Sequence, residues 1–237
     1  MPPLILVDFD DTLVDTGPRF HARREQLFRF LEAEGFSREV SERVHHEVVD
    51  QELLDLMGFG PFRLGPSFRD TYVRLCFEAE RFPDPGTARE AEALAAGIEN
   101  PPPLLPGALE ALRELTAHRS VGIYTQSHFA EYQLGCVEAA GVLEVVERSQ
   151  VRITPEKSPD AFREALAHFR VGRAEAAWMV GNSIRSDVNP ALAVGAGATW
   201  IDTGLTWHHD RARPVHNRFS RATSFPEAVR QLLESAD

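Results

Sequence analysis

The sequence predicts an α/β fold: a doubly wound, mostly parallel sheet, with a second, all-helical unit inserted after the first strand. Three observations predict it. A short apolar run, Leu4 to Val7, ends in the carboxylates Asp8, Asp10 and Asp11. About eighty residues of helical texture follow, without a convincing strand. Beyond the prolines at 101–103, strand-like and helix-like segments alternate. Alternation of that kind implies a parallel sheet with helices on both faces.

Taken in order, Leu4 to Val7 is a continuous apolar run of the kind a strand buried on both faces requires. From about Gly17 to Gly97 the spacing changes. Phe20, Leu27, Phe28, Phe30 and Leu31 recur at helical intervals, as do Val44, Val48, Val49, Leu53, Leu54 and Leu56. The Gly and Pro content of 58–66 predicts a loop. Helical texture resumes over Phe68 to Phe77 and over Thr87 to Ile98. Pro101 to Pro103 cannot continue a helix and mark a boundary. The expected division is therefore 1–16 with 104–237 as the sheet unit and 17–103 as the helical unit.

In the second half, Leu109 to Leu115 predicts a helix and 120–125 a strand. Tyr132 to Ala140 predicts a helix closed by Gly141, and the stretch Val142 to Ile153 contains a strand. Asp160 to Phe169 is a helix, 176–181 a strand, Ala191 to Val194 a short helix and 198–202 a strand. Phe225 to Leu233 forms the last helix. Trp178 and Trp200 fall inside expected strands and belong to the core.

The chain has 237 residues and a formal net charge of −11, from 25 Lys and Arg against 36 Asp and Glu. That balance, with no basic run, argues against nucleic acid or an anionic membrane as partner. Two cysteines, Cys76 and Cys136, exclude a disulfide scaffold and suit a reducing compartment. No apolar stretch approaches a membrane span, and carboxylates by residue 8 do not suit a signal peptide. A cytoplasmic location is expected. Lys157 is the single lysine among those 25 cations. Lysine is a compact point charge on a slim stem and arginine a planar fork, so its task is expected to be one that arginine does poorly.

In doubly wound sheets, ligands bind beyond the carboxyl ends of the strands. The residues to weigh are thus Asp8 and Asp10, Thr125 to Ser127, the segment reaching Lys157, and Asn182 to Asp187. Two carboxylates emerging together need a cation, and Mg²⁺ prefers oxygen ligands. A carboxylate can attack phosphorus, and a neighbouring carboxyl can protonate the leaving oxygen and then activate water.

The stretch LILVDFDDTL, 4–13, resembles the first motif of the haloacid dehalogenase superfamily. The other strand ends resemble its remaining motifs in order: Thr125 the second, Lys157 the third, and GNSIRSD, 181–187, the fourth. The resemblance covers essentially the whole chain and implies a Rossmann-like core with an α-helical cap at 17–103. It implies a Mg²⁺-dependent phosphatase acting on a small phosphorylated metabolite. Asp8 would be the nucleophile and Asp10 the general acid and base, its carbonyl also ligating Mg²⁺. Thr12 would brace the turn and serve the phosphate site. The Thr125 hydroxyl and the Gln126 N–H would hold phosphoryl oxygens, and Lys157 would neutralise their charge. Asp8, Asp10, Asn182 and Asp187 would form the metal site. An acid at position 10 favours phosphatases over the dehalogenase and phosphonatase branches. A phosphomutase and a catalytically weak phosphate-binding module are the alternatives.

One position departs from the family pattern: Asn182 stands where an Asp is usual. Asn offers a carbonyl oxygen but no charge, so weaker Mg²⁺ binding is expected. His208, His209 and His216, in a polar segment with TWHHD at 206–210, are expected to be solvent-exposed rather than a metal site. Arg63 and Arg69 flank the Gly/Pro loop; surface positions are the simpler expectation, contact with an anionic substrate the alternative. Arg185 could touch substrate or pair with nearby acids, and His128 could line the pocket.

Overall fold

A computed structural model describes residues 4–204 and 212–234. Its contacts divide the chain into two compact units, Met1–Gly17 with Pro101–Asp237, and Pro18–Asn100.

In the first unit, β1 (Leu4–Val7), β2 (Ser120–Gln126), β3 (Val151–Thr154), β4 (Ala177–Gly181), β5 (Gly197–Ile201) and β6 (Phe219–Ala222) form one sheet. The order is β3-β2-β1-β4-β5-β6, and every pairing is parallel. β1 is central because both of its faces are apolar. Ile5 and Val7 pack in one hydrophobic cluster, with residues of α6 (Ala108–His118), α7 (Ala130–Ala139) and α10 (Phe225–Glu234). Leu4 and Leu6 pack in another, with α8 (Pro159–His168) and α9 (Asn189–Ala193). Alternation along one strand thus feeds two layers of helix, and the sheet is doubly wound.

β6 is absent from the sequence expectation. Its residues, Phe-Ser-Arg-Ala, are short and partly polar, as an edge strand exposed on one side permits. Trp178 and Trp200 do lie in β4 and β5, but half-buried. Trp178 Nε1 donates to Thr199 Oγ1 at 2.9 Å, and Trp200 Nε1 donates to the Asn182 carbonyl at 2.9 Å. The described residues contain no helix long and apolar enough to cross a membrane.

The second unit is helical: α1 (Gly17–Ala33), α2 (Arg38–Arg43), a π-helical stretch Val44–Val49, α3 (Asp50–Met57), α4 (Leu64–Glu78) and α5 (Pro85–Ala93). Side-chain caps start two of these helices. Ser37 accepts from the Val40 N–H and Asp84 from the Thr87 N–H, the latter with Pro85 in the first turn. The loop expected at 58–66 ends earlier than its composition suggests. Pro66 lies in the first turn of α4, where its missing N–H is not needed.

The core of this unit is apolar around Leu27, Phe28, Leu31, Leu64, Phe68 and Leu75. A polar network is buried in it. Asp50 Oδ1 accepts from Arg63 at 3.0 Å, and its Oδ2 accepts from Arg24 at 3.4 Å. The surface position expected for Arg63 is therefore wrong: this guanidinium is buried against Asp50. Thr71 donates to the Ser67 carbonyl at 2.6 Å and meets His45 Nδ1 at 3.0 Å. Its hydroxyl hydrogen is thereby spent, so Nδ1 carries the proton and the His45 Nε2 lone pair faces Arg24 Nε at 3.3 Å. Arg69 does lie near the surface, beside Asp70 and Glu92.

Candidate active site

The site is built where β1, β2, β3 and β4 end, Lys157 coming from the segment that leaves β3. Asp8 follows β1 directly, and its N–H still donates to the Val180 carbonyl of β4 at 2.9 Å. The chain then coils tightly. The Phe9 carbonyl accepts from Leu13 at 2.9 Å and from Val14 at 3.2 Å. Asp11 takes a left-handed conformation, φ 55°, which Asp tolerates better than most side chains. Its Oδ1 accepts from the Thr16 and Gly17 N–H groups at 3.0 and 2.6 Å. Burial, the largest influence, raises its carboxyl to about 6.

Lys157 stands between two carboxylates. Its Nζ lies 2.5 Å from Asp8 Oδ1 and 2.6 Å from Asp187 Oδ1, and all three side chains are buried. Asp187 lies in a π-helical turn, Ile184–Val188, after β4, and its Oδ2 accepts from the Ser183 N–H at 2.9 Å. Ser183 Oγ caps the turn through the Ser186 N–H at 3.0 Å. The Tyr124 ring lies against the ammonium, 5.3 Å from Nζ to centroid. Burial pushes the Tyr124 phenol up to about 12.

One ammonium against two buried carboxylates leaves one negative charge in excess. Burial first, and repulsion from Asp187 second, hold the Asp8 carboxyl well above its usual range despite Lys157. Burial alone would lower the lysine, but Asp187 and Asp8 outweigh it, and the ammonium stays charged.

Asp10 faces a different set of partners. Its Oδ1 accepts from Thr16 Oγ1 at 2.6 Å and its Oδ2 from Gln133 Nε2 at 2.6 Å. The same Gln133 nitrogen donates to Thr125 Oγ1 at 2.9 Å. The structure therefore joins the candidates into two groups. Asp8, Lys157 and Asp187 touch directly, with Thr12 Oγ1 donating to Asp8 Oδ2 at a long 3.4 Å. Asp10 and Thr125 are joined through Gln133, which sequence reasoning missed, as it missed Thr16. The Gln126 side chain donates to the Pro155 carbonyl at 3.0 Å. Asn182 is half-buried in the turn that carries Asp187, outside both groups. Arg185, His128 and His216 are exposed, whereas His208 and His209 lie outside the described residues.

Among the described residues no three His, Cys, Asp or Glu side chains cluster as a metal site. The donors expected around Mg²⁺ include two carboxylates, Asp8 and Asp187, with the Asp10 carbonyl and the Asn182 side-chain oxygen. This set is all oxygen, and the excess negative charge at Asp8 and Asp187 is what a small dication would offset, so the residues fit such an ion.

A parallel sheet with its candidate site beyond the carboxyl ends of the central strands makes this chain a doubly wound α/β protein. The model for the haloacid dehalogenase-like hydrolases matches residues 2–195, and the chain belongs to that family of hydrolases. No curated protein matches it. Among solved structures it is similar to a haloacid dehalogenase-like family hydrolase of Xanthomonas campestris, at 22% identity and TM-score 0.76, over 99% of this chain and 93% of that one. It is also similar to the hydrolase YfnB of Bacillus subtilis, solved with magnesium, at 14% identity and TM-score 0.62, over 98% and 99%. A third is the L-2-haloacid dehalogenase of Xanthobacter autotrophicus with chloropropionic acid covalently bound, at 14% identity and TM-score 0.58, over 100% of both chains.

Proposed function

We propose that this hydrolase is a Mg²⁺-dependent phosphatase acting on a small phosphomonoester. The observation that carries the reading is Asp10. Two residues beyond the nucleophile candidate Asp8, a second carboxyl is held by Thr16 and Gln133 rather than by the lysine. Release of an alkoxide requires a proton donor, whereas release of a halide requires none. A positioned acid at 10 therefore has work in phosphate ester hydrolysis and none in dehalogenation.

In this reading an Asp8 oxygen attacks phosphorus. The bond from phosphorus to the ester oxygen breaks, and that oxygen takes its electron pair and a proton from Asp10. Water then attacks the phosphorus of the aspartyl phosphate and gives a proton to Asp10. The phosphorus–carboxyl oxygen bond breaks, and its electron pair returns to Asp8. The Lys157 ammonium and the Thr125 hydroxyl stabilise charge on the phosphoryl oxygens, where positioned charge contributes most. Asp8, Asp187, Asn182 and the Asp10 carbonyl would hold Mg²⁺, which would supply further charge neutralisation for the phosphoryl group.

The test is hydrolysis of p-nitrophenyl phosphate and of 2-chloropropionate, with Mg²⁺, by the wild-type protein and Asp8→Asn. Phosphate release lost in Asp8→Asn supports the reading. Chloride release in place of phosphate release would make the protein a dehalogenase. A strict need for a sugar bisphosphate would make it a mutase, and neither activity would favour a phosphate-binding module. A cytoplasmic setting accords with the two cysteines, both buried as free thiols.

A further inference from the structure

We propose that Gln133 is a positioning residue whose single side-chain nitrogen fixes the Asp10 carboxylate and the Thr125 hydroxyl relative to each other. The inference rests on the phosphatase reading and adds to it a residue 123 positions from Asp10 in the chain.

Gln133 lies in α7 on the face that also presents Cys136 and Val137 to the core, and it is 5% exposed. A leucine would satisfy packing there. An amide in such a place costs free energy unless it is hydrogen-bonded, and the two hydrogen bonds that its nitrogen donates go to candidate site residues. The atom facing both partners is the side-chain nitrogen, which donates to the Asp10 carboxyl and to the Thr125 hydroxyl. Its two hydrogens are then used once each, toward Asp10 Oδ2 at 2.6 Å and Thr125 Oγ1 at 2.9 Å.

This arrangement has a chemical consequence. Thr125 Oγ1 receives a hydrogen bond from Gln133, so its own O–H remains available to donate to an anionic oxygen. Asp10 Oδ1 is set by Thr16 and Oδ2 by Gln133, so the plane of the carboxyl group is fixed from both sides. The group that moves the proton and the hydroxyl that binds the phosphoryl group therefore share one support.

The test compares wild type with Gln133→Met, which keeps length and loses both donors, and Gln133→Asn, which keeps the amide but withdraws it by one methylene. Substrates are p-nitrophenyl phosphate, whose leaving group needs little protonation, and an alkyl phosphate, whose leaving group needs it. In both variants kcat/KM for the alkyl phosphate is expected to fall about 10- to 100-fold, within the range of acid–base catalysis, and clearly more than for the aryl phosphate. In an Asp10→Asn background, Gln133→Met is expected to add less than about twofold. Equal losses on both substrates, or a full additional loss without the Asp10 carboxylate, would overturn the role. So would an unchanged rate in a folded Gln133→Met or Gln133→Asn. A wild-type protein that hydrolyses neither ester would remove the phosphatase reading itself, and this inference with it.

Discussion

Gly181 and Asp187 leave no room between them: a Cβ at 181 would fall 2.3 Å from Asp187 Oδ2. The last residue of β4 thus has to lack a side chain for Asp187 to fold back toward Lys157. Gly181→Ala is expected to displace the carboxylate, break the 2.6 Å contact with Lys157 and lower turnover at least 10-fold. Steady-state assays beside a circular dichroism spectrum check this. A folded variant with normal turnover would show that Asp187 can move without consequence.

Lys157→Arg is expected to keep the fold and lose most turnover, by about 100-fold or more. The slot between Asp8 and Asp187 admits one nitrogen at 2.5 and 2.6 Å, whereas a guanidinium is wider and planar. Near-normal kcat in this variant would mean that the only lysine of the chain is there by coincidence.

Asn182→Asp is expected to lower the Mg²⁺ concentration needed for half-maximal activity, because it adds a charge to a set that has two carboxylates. Titration of Mg²⁺ against turnover in wild type and variant measures the shift. An unchanged half-saturation point would place residue 182 outside the metal site.

The two halves of Tyr124 are expected to separate by mutation. Its hydroxyl is buried with no hydrogen-bond partner among the described residues, while its ring supports the ammonium of Lys157. Tyr124→Phe should leave turnover intact and stability unchanged or higher by up to about 1 kcal/mol. Tyr124→Leu should cost turnover and stability together. A large loss in Tyr124→Phe, followed by kinetics and thermal melting, would assign the hydroxyl a function of its own.

Asp50→Asn is expected to destabilise the helical unit by about 3–5 kcal/mol, because it leaves Arg24 and Arg63 buried without the carboxylate they share. Urea unfolding monitored by far-ultraviolet circular dichroism reads the loss. A cost below about 1 kcal/mol would mean that water reaches these guanidiniums.

The sequence showed most clearly what is local. The apolar run before Asp8, the single lysine and the GNSIRSD turn lie in short stretches whose residue types already limit their chemistry. Alternating strands and helices showed the sheet. β6 did not stand out, because Phe-Ser-Arg-Ala has neither length nor a clear apolar face. Gln133 was invisible for a different reason. Nothing in α7 distinguishes a surface glutamine from a buried one, and its partners Asp10 and Thr125 come from other elements. Arg63 was misjudged on the same ground, since arginine is usually exposed and a partner such as Asp50, thirteen residues away, makes its burial tolerable. Side chains whose roles depend on distant partners are legible only after folding.

The chain leaves the sheet unit and returns to it at a single point. The Leu13 carbonyl accepts from Leu105 at 2.9 Å, the Asp15 N–H donates to the Pro103 carbonyl at 2.9 Å, and Val14 bridges Leu104. These bonds form a clasp that closes within one unit, whatever lies between its two sides. Lengthening a closed loop adds entropy cost only logarithmically. The intervening segment can therefore change in length and sequence while Asp8, Asp10, Thr125 and Lys157 keep their places within the sheet unit.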